Sequence, residues 1–296
     1  MSIFQGSGVA LITPFHEDKS VNYDMLEKLV DRQVENQTDA IIVCGTTGEP
    51  ATMTEEERLS VISCVVERTN HRVPVVAGTG GNTTEGVVSF SRKVSKLGVD
   101  GLLVVTPYYN KATQNGLYEH YKMVALSTDL PIIMYNVPSR TGCNLLPETV
   151  VRIAKDCANV VAIKEASGNI SQVAHLAMLG KDVLDIYSGN DDQIVPILSL
   201  GGIGVISVLA NVVPQQTHQL VREYLNGNIK KSLELQLQYL ELIDSLFCEV
   251  NPIPVKAAMQ MLGYEVGGLR LPLTRLEKRH EVVLSDALKK CGVKNG

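Results

Sequence analysis

Short apolar runs alternate with amphipathic stretches along most of the 296-residue chain. Eight runs, at residues 9–13, 40–44, 73–77, 102–106, 132–135, 160–164, 184–188 and 203–209, have the length and composition of buried strands. Between them, residues 23–34, 55–67, 85–97, 116–126, 148–157 and 170–179 carry apolar positions at helical spacing. Several of these stretches open on a capping pair: Thr54 with Glu57, Asn82 with Glu85, Asn169 with Gln172, and Asn190 with Gln193. Eight strand–helix units predict an α/β protein whose parallel sheet closes into a (β/α)8 TIM barrel. An open doubly wound sheet alternates the same elements, but it usually carries a Gly-rich fingerprint after its first strand. Here Gly6-Ser7-Gly8 precedes the first predicted strand. Gly78-Thr79-Gly80-Gly81, after the third run, lacks the glycine spacing of a phosphate loop and reads as a tight turn. The expected division is a catalytic barrel at 1–227 and a C-terminal helical region at 228–296. That region is expected to hold helices at 229–247, 253–262 and 277–291, broken at Asn251-Pro252 and Pro272.

Composition narrows the class without naming a reaction. An apolar content of 45% with 20% charged residues is ordinary for a water-soluble enzyme. The net charge of −5, with no Lys/Arg-rich run, leaves no electrostatic footprint for nucleic acid. The longest apolar stretch, 202–213, is too short to span a bilayer, and residues 1–8 lack the basic start and apolar core of a secretion signal. A cytoplasmic protein with no membrane partner is expected. The six cysteines form no C-x-x-C pair and the six histidines show no ligand spacing, so neither a disulfide framework nor a metal centre is expected.

The candidate chemistry gathers on one lysine. Lys164 ends the run Val160-Val161-Ala162-Ile163 and is followed by Glu165-Ala166-Ser167-Gly168-Asn169. Strand parity places Ala162, Lys164 and Ala166 on one face. Two alanines leave open volume beside the amine, and an apolar cavity disfavours the charged form of a lysine, which favours nucleophilic attack on a carbonyl. Most lysines simply extend from a strand end to solvent. In a barrel, however, catalytic groups collect where strands end at the C-terminal face, so the other strand ends belong to the same reading. The second run ends in Gly45-Thr46-Thr47-Gly48-Glu49, whose hydroxyls and backbone N–H groups suit a carboxylate. The fourth ends in Thr106-Pro107-Tyr108-Tyr109-Asn110 and the fifth in Tyr135-Asn136-Val137-Pro138-Ser139-Arg140-Thr141-Gly142. Tyr135, if it points inward, meets Lys164 on the adjacent strand, and a phenol beside an amine suggests proton transfer.

At these four motifs the chain resembles the 4-hydroxy-tetrahydrodipicolinate synthases, long called dihydrodipicolinate synthases, over nearly its whole length. They belong to a superfamily that also holds N-acetylneuraminate lyase and related aldolases, which share the lysine, the tyrosine and a Gly-x-Thr-Gly-Glu loop. The resemblance implies metal-free, cofactor-free condensation of pyruvate with L-aspartate 4-semialdehyde through a Schiff base on Lys164. It implies a proton relay of Tyr135, Thr46 and Tyr109, with Tyr109 reaching into a neighbouring subunit of a homotetramer built as a dimer of dimers. It further implies that Thr47 holds the pyruvate carboxylate, that Ile206 lines the pocket through its backbone, and that Gly189 and Asn190 border the substrate. Asn190 stands where many members have aspartate. Arg140 is expected to bind the carboxylate of the semialdehyde, and sugar-acid lyases generally lack an arginine there. Three readings follow: the synthase, a pyruvate-dependent sugar-acid aldolase, or a keto-acid sensor without turnover. Arg140 favours the first over the second, and Lys164, Tyr135, Thr46 and Tyr109 together argue against the third. By the same resemblance Ala51, Asn82 and Tyr108 match an interface site for lysine. Glu55, Arg58 and Gly86 depart from that pattern, so weak or absent inhibition by lysine is expected.

Overall fold

The computed structural model describes residues 2–293; Met1 and residues 294–296, the outer ends of the two expected segments, lie outside the described residues. Eight parallel strands close into a barrel in chain order: β1 Gly6–Ala10, β2 Ala40–Val43, β3 Val75–Gly78, β4 Gly101–Val105, β5 Ile132–Asn136, β6 Val160–Glu165, β7 Asp185–Ser188 and β8 Gly204–Ser207, which pairs back onto β1. The helices following β1 to β4 are α1 Tyr23–Glu35, α2 Glu55–Thr69, α3 Thr84–Val94 and α4 Gln114–Ala125. A short α5, Pro138–Thr141, precedes α6 Pro147–Asp156; then come α7 Ile170–Gly180, α8 Ile194–Ser199 and α9 Pro214–Leu225. Beyond them lie α10 Ile229–Gln238, α11 Leu240–Ser245, α12 Ile253–Met261 and α13 Lys278–Lys290. None of the helices among the described residues is long and apolar enough to cross a membrane.

The first strand departs from the sequence expectation in an informative way. It runs over Gly6–Ala10, not 9–13, so Gly6-Ser7-Gly8 is part of the sheet and does not precede it. These residues pair with Gly204, Val205 and Ile206 of β8. A Cβ on Gly8 would stand 2.6 Å from Ile42 Cδ1 and 2.8 Å from Phe4 Cζ, so glycine here makes room for two larger inward side chains. At the other end of the sheet, β8 stops at Ser207, short of the expected 209. The backbone N–H groups of Val208 and Leu209 turn instead to the Asp191 carboxylate, at 3.0 and 2.9 Å, and start the 3-10 turn Leu209–Asn211.

Capping follows local chemistry more closely than spacing. Thr54 and Glu57 form a complete capping box, and the Asn169 side chain accepts from the Gln172 N–H. Helix α3 is capped by Thr83, whose side chain accepts the Gly86 N–H, because its first turn begins at Thr84, one residue later than the Asn82–Glu85 pair implies. The Asn190 side chain caps nothing; it precedes a 3-10 turn at Asp191–Gln193. The expected helix at 229–247 is two helices, interrupted at Tyr239.

Two apolar layers result. The larger lies between strands and helices; the smaller fills the barrel, with Ile42, Val76, Leu103, Ile133, Ala162 and Ile206 among its members. The lower end of the lumen is closed by Phe4 and Tyr187, whose rings stack at 4.4 Å while the Tyr187 hydroxyl donates to the Phe4 carbonyl at 2.6 Å.

Candidate active site

Lys164 and Tyr135 are register partners on β6 and β5, so their side chains leave the sheet side by side. Ala162, Ala166 and Tyr135 belong to the inner apolar layer and Ile163 to the outer one, which is the parity expected of the strand. Lys164 is only 6% exposed, and its Nζ lies 4.5 Å from the centroid of the Tyr135 ring. On the opposite face, Asn136 and Glu165 are also register partners, both buried. The Asn136 amide donates to both carboxylate oxygens of Glu165 at 3.3 and 3.2 Å, while Glu165 Oε1 accepts the Ser167 N–H at 2.7 Å. Burial raises the pKa of the Glu165 carboxyl, and the hydrogen bonds from Ser167 and Asn136 offset part of that rise. The network locks together the two strand ends that carry the amine and the phenol.

Space for the amine comes from Gly189, which follows β7. A Cβ there would stand 3.1 Å from Lys164 Cε and 2.6 Å from Ala166 Cβ. Ile206, from β8, is fully buried in the lumen layer. A cavity of about 330 Å³ opens at the same end of the barrel, with Thr46, Tyr108, Tyr135, Arg140 and Asn251 among its walls. Thr46 and Thr47 lie in the 3-10 turn Thr46–Gly48 after β2, and Thr47 is buried. Arg140, on α5, is exposed and donates to the Asn251 carbonyl at 3.2 Å.

Not every expected residue joins this group within one chain. Tyr109 is 90% exposed in a left-handed conformation (φ 72°), and Asn190 is half-buried beside Gly189. Of the expected effector positions, Ala51 and Tyr108 line the cavity, while the Asn82 carbonyl accepts from the Asn110 amide. Arg58 lines the cavity too; its guanidinium stacks 3.8 Å from the Phe90 ring centroid and donates to the Gly78 carbonyl at 3.1 Å. Burial pulls it below the ordinary arginine value.

Three residues of the site escaped the sequence reading. Asn251 had been noted only as a helix break, yet its side-chain amide donates to Thr47 Oγ1 at 3.0 Å. Asp191 is buried, holds two β8-loop amides with Oδ2, and has an Oδ1 without a hydrogen-bond partner. Burial raises its pKa, hydrogen bonds from Ser207 and the Leu209 and Val208 amides oppose the rise, and the charge of Lys164 opposes it further. Lys256 is the third: it forms an ion pair with Glu49 at 2.8 Å, with both side chains essentially inaccessible. Nothing in the local sequence around Asn251 or Lys256 signals partners more than 200 residues away.

Known proteins resemble this chain in both fold and sequence. Residues 3–291 match the model of the dihydrodipicolinate synthetase family. The chain is 59% identical to the 4-hydroxy-tetrahydrodipicolinate synthase of Caldicellulosiruptor bescii, over 99% of each chain. It is 55% identical to the enzyme of that name from Lachnoclostridium phytofermentans, over 99% of this chain and 100% of the relative. The crystal structure of dihydrodipicolinate synthase from Thermotoga maritima superposes with a TM-score of 0.97 at 45% identity, covering 99% of this chain and all of the other. With a family match spanning nearly all its residues, a closed eight-stranded barrel and relatives well above half identical, the chain belongs to the dihydrodipicolinate synthetase family.

Proposed function

We propose that the chain is a lyase condensing pyruvate with L-aspartate 4-semialdehyde to 4-hydroxy-tetrahydrodipicolinate, in the diaminopimelate route to lysine, through a Schiff base on Lys164. The relatives carry the name of that enzyme, and the observation that supports the mechanism is the Lys164 amine lying against the Tyr135 ring in a narrow, largely apolar lumen. The amine adds to the pyruvate ketone and water leaves. The resulting iminium draws electrons from the methyl carbon, which loses a proton and becomes a nucleophilic enamine. That carbon attacks the aldehyde, and the amino group of the semialdehyde then displaces Lys164 by closing a six-membered ring. Tyr135 exchanges the protons of these steps, in a relay with Thr46 and with Tyr109 of a neighbouring subunit. Thr47 and nearby backbone N–H groups take the pyruvate carboxylate, with Gly189, Asn190 and the Ile206 backbone bordering the keto acid. Arg140 takes the carboxylate of the semialdehyde as a planar two-pronged donor.

The exposure of Tyr109 fits a side chain that finds its place only in an assembly, and we take the working form to be a homotetramer in the cytoplasm. Arg140 in the cavity wall favours the semialdehyde over a sugar aldehyde. Pyruvate consumption measured with aspartate semialdehyde, N-acetylmannosamine and glyceraldehyde tests this directly, with strong preference for the semialdehyde expected. Preference for a sugar aldehyde would refute the assignment of Arg140. Lys164→Ala should abolish turnover while leaving the circular dichroism of the folded protein in place; appreciable residual turnover would rule out the covalent route.

A further inference from the structure

Glu49 closes the Gly45-Thr46-Thr47-Gly48-Glu49 loop with its backbone in the left-handed region, φ 56° and ψ 37°. That is an uncommon conformation for a residue with a side chain, and it persists only where surroundings hold it. Here the holding is done from outside the barrel. Lys256 Nζ, on α12, donates to Glu49 Oε1 at 2.8 Å and to the Gly268 carbonyl at 2.8 Å, and it lies 4.3 Å from the centroid of the Phe15 ring. The Arg270 backbone N–H reaches Glu49 Oε2 at 3.3 Å. Lys256 is 1% exposed, so this charge has left water entirely and its compensation is confined to Glu49, one carbonyl and an aromatic face. The segment leading into α12 adds a second tie, from the Asn251 amide to Thr47 Oγ1. Two residues of one loop are therefore gripped by two residues of the helical region beyond residue 227.

A buried ion pair is a weak source of stability but a strict geometric constraint, because either charge left alone is costly. We propose that Lys256 is a positioning residue for the keto-acid carboxylate: through Glu49 it sets the 45–49 loop so that Thr46, Thr47 and the intervening N–H groups face the substrate. The inference rests on the assignment of that loop to the pyruvate carboxylate. It makes the helical extension part of the active site in function, although no atom of Lys256 touches substrate.

Lys256→Met keeps the length and apolar contacts of the stem and removes the charge. Glu49→Gln keeps the shape of the partner but leaves the Lys256 charge unpaired, so the double variant Lys256→Met/Glu49→Gln, which removes both charges, is the second variant should a single change fold poorly. The measurements are the pyruvate KM and kcat at saturating semialdehyde, the mass of the adduct trapped by borohydride across a pyruvate titration, and the thermal midpoint. Arg222→Ala, which removes a surface partner of Asp39, serves as a comparison of purely structural cost. The Lys256 and Glu49 variants should raise the pyruvate KM and the half-saturating concentration for trapping by about tenfold, and kcat should fall with them because Thr46 of the same loop belongs to the proton relay. Arg222→Ala should leave the pyruvate KM where it is. Loop variants that trap pyruvate with unchanged half-saturation, losing activity only in proportion to unfolded protein, overturn the inference alone. A wild-type protein that traps no pyruvate overturns the Schiff-base assignment, and the inference with it.

Discussion

Adding one methyl group at Gly189 isolates the space requirement of Lys164, the lysine proposed to form the Schiff base. Gly189 is not in the left-handed region, so alanine can adopt its backbone without strain and only the new contacts matter. The added Cβ would stand 2.6 Å from Ala166 Cβ, 3.1 Å from Lys164 Cε and 3.1 Å from the Glu165 carbonyl oxygen. Carbon atoms prefer about 3.5–4.0 Å, so the Ala166 contact is short by about 1 Å. The backbone cannot simply part, because the Gly189 N–H donates to the Glu165 carbonyl at 2.8 Å. Overpacking of this kind costs about 1–3 kcal/mol. The softest neighbour is the lysine stem, and strain relieved there displaces the amine. A barrier raised by a similar amount through the displaced amine, at about 1.4 kcal/mol per factor of ten, would lower turnover between about fivefold and about 150-fold. Gly189→Ala is therefore expected to slow both steady-state turnover and the formation of the borohydride-trapped pyruvate adduct, with a thermal midpoint lower by roughly 2–5 °C. Turnover within twofold of wild type would refute the argument that Gly189 exists to make room for Lys164.

Arg140→Ala should raise the semialdehyde KM by about 10–100-fold, the worth of a lost charge-assisted pair, and leave pyruvate trapping nearly unchanged; equal effects on both substrates would contradict the assignment. Burial raises the pKa of Asp39, but hydrogen bonds from His218, the Ser7 amide and Arg222 outweigh it and hold the carboxyl below its ordinary value. A depressed folded-state value means stability fully present above the unfolded carboxylate pKa of about 3.9 and lost as pH falls below it. Asp39→Asn should thus be less stable than wild type at pH 7, with the gap closing in acid; a gap independent of pH would refute the sign. L-Lysine in the low millimolar range should inhibit weakly, because Arg58 brings a positive charge to the cavity wall beside Ala51 and Tyr108 and Gly86 offers no carboxylate. Strong inhibition at low lysine would overturn this.

The barrel was legible because its strands are covered on both faces and read as continuous apolar runs, with helix-period stretches between them. Strand β1 was misplaced for the converse reason: its role depends on absent side chains at Gly6 and Gly8, and hydropathy does not register an empty position that serves a neighbour. Parity puts Lys164 on one face of its strand and lets an inward Tyr135 meet it, but the register that makes the two partners, with its shift between Ile132 and Ile133, is not legible in either strand alone. Asn251 and Lys256 were out of reach. Their partners, Thr47 and Glu49, lie 204 and 207 residues away, and no periodicity links a loop after the second strand to a helix beyond the eighth. Asn190 shows a smaller failure of the same kind, where capping spacing was present but the chain made a 3-10 turn.

The stacked Phe4 and Tyr187 rings fill the barrel interior at the end where β1 begins. The cavity whose walls include Arg140, Tyr108 and Tyr135 opens at the other end, and the Lys164 amine lies 4.5 Å from the Tyr135 ring centroid. On the proposed chemistry the keto acid, whose carbonyl has to meet Lys164, is seated before the aldehyde is held at Arg140. An aldehyde arriving first would block the passage. On that reading the filled floor of the barrel sets the order of arrival, and an excess of the second reactant competes with the first.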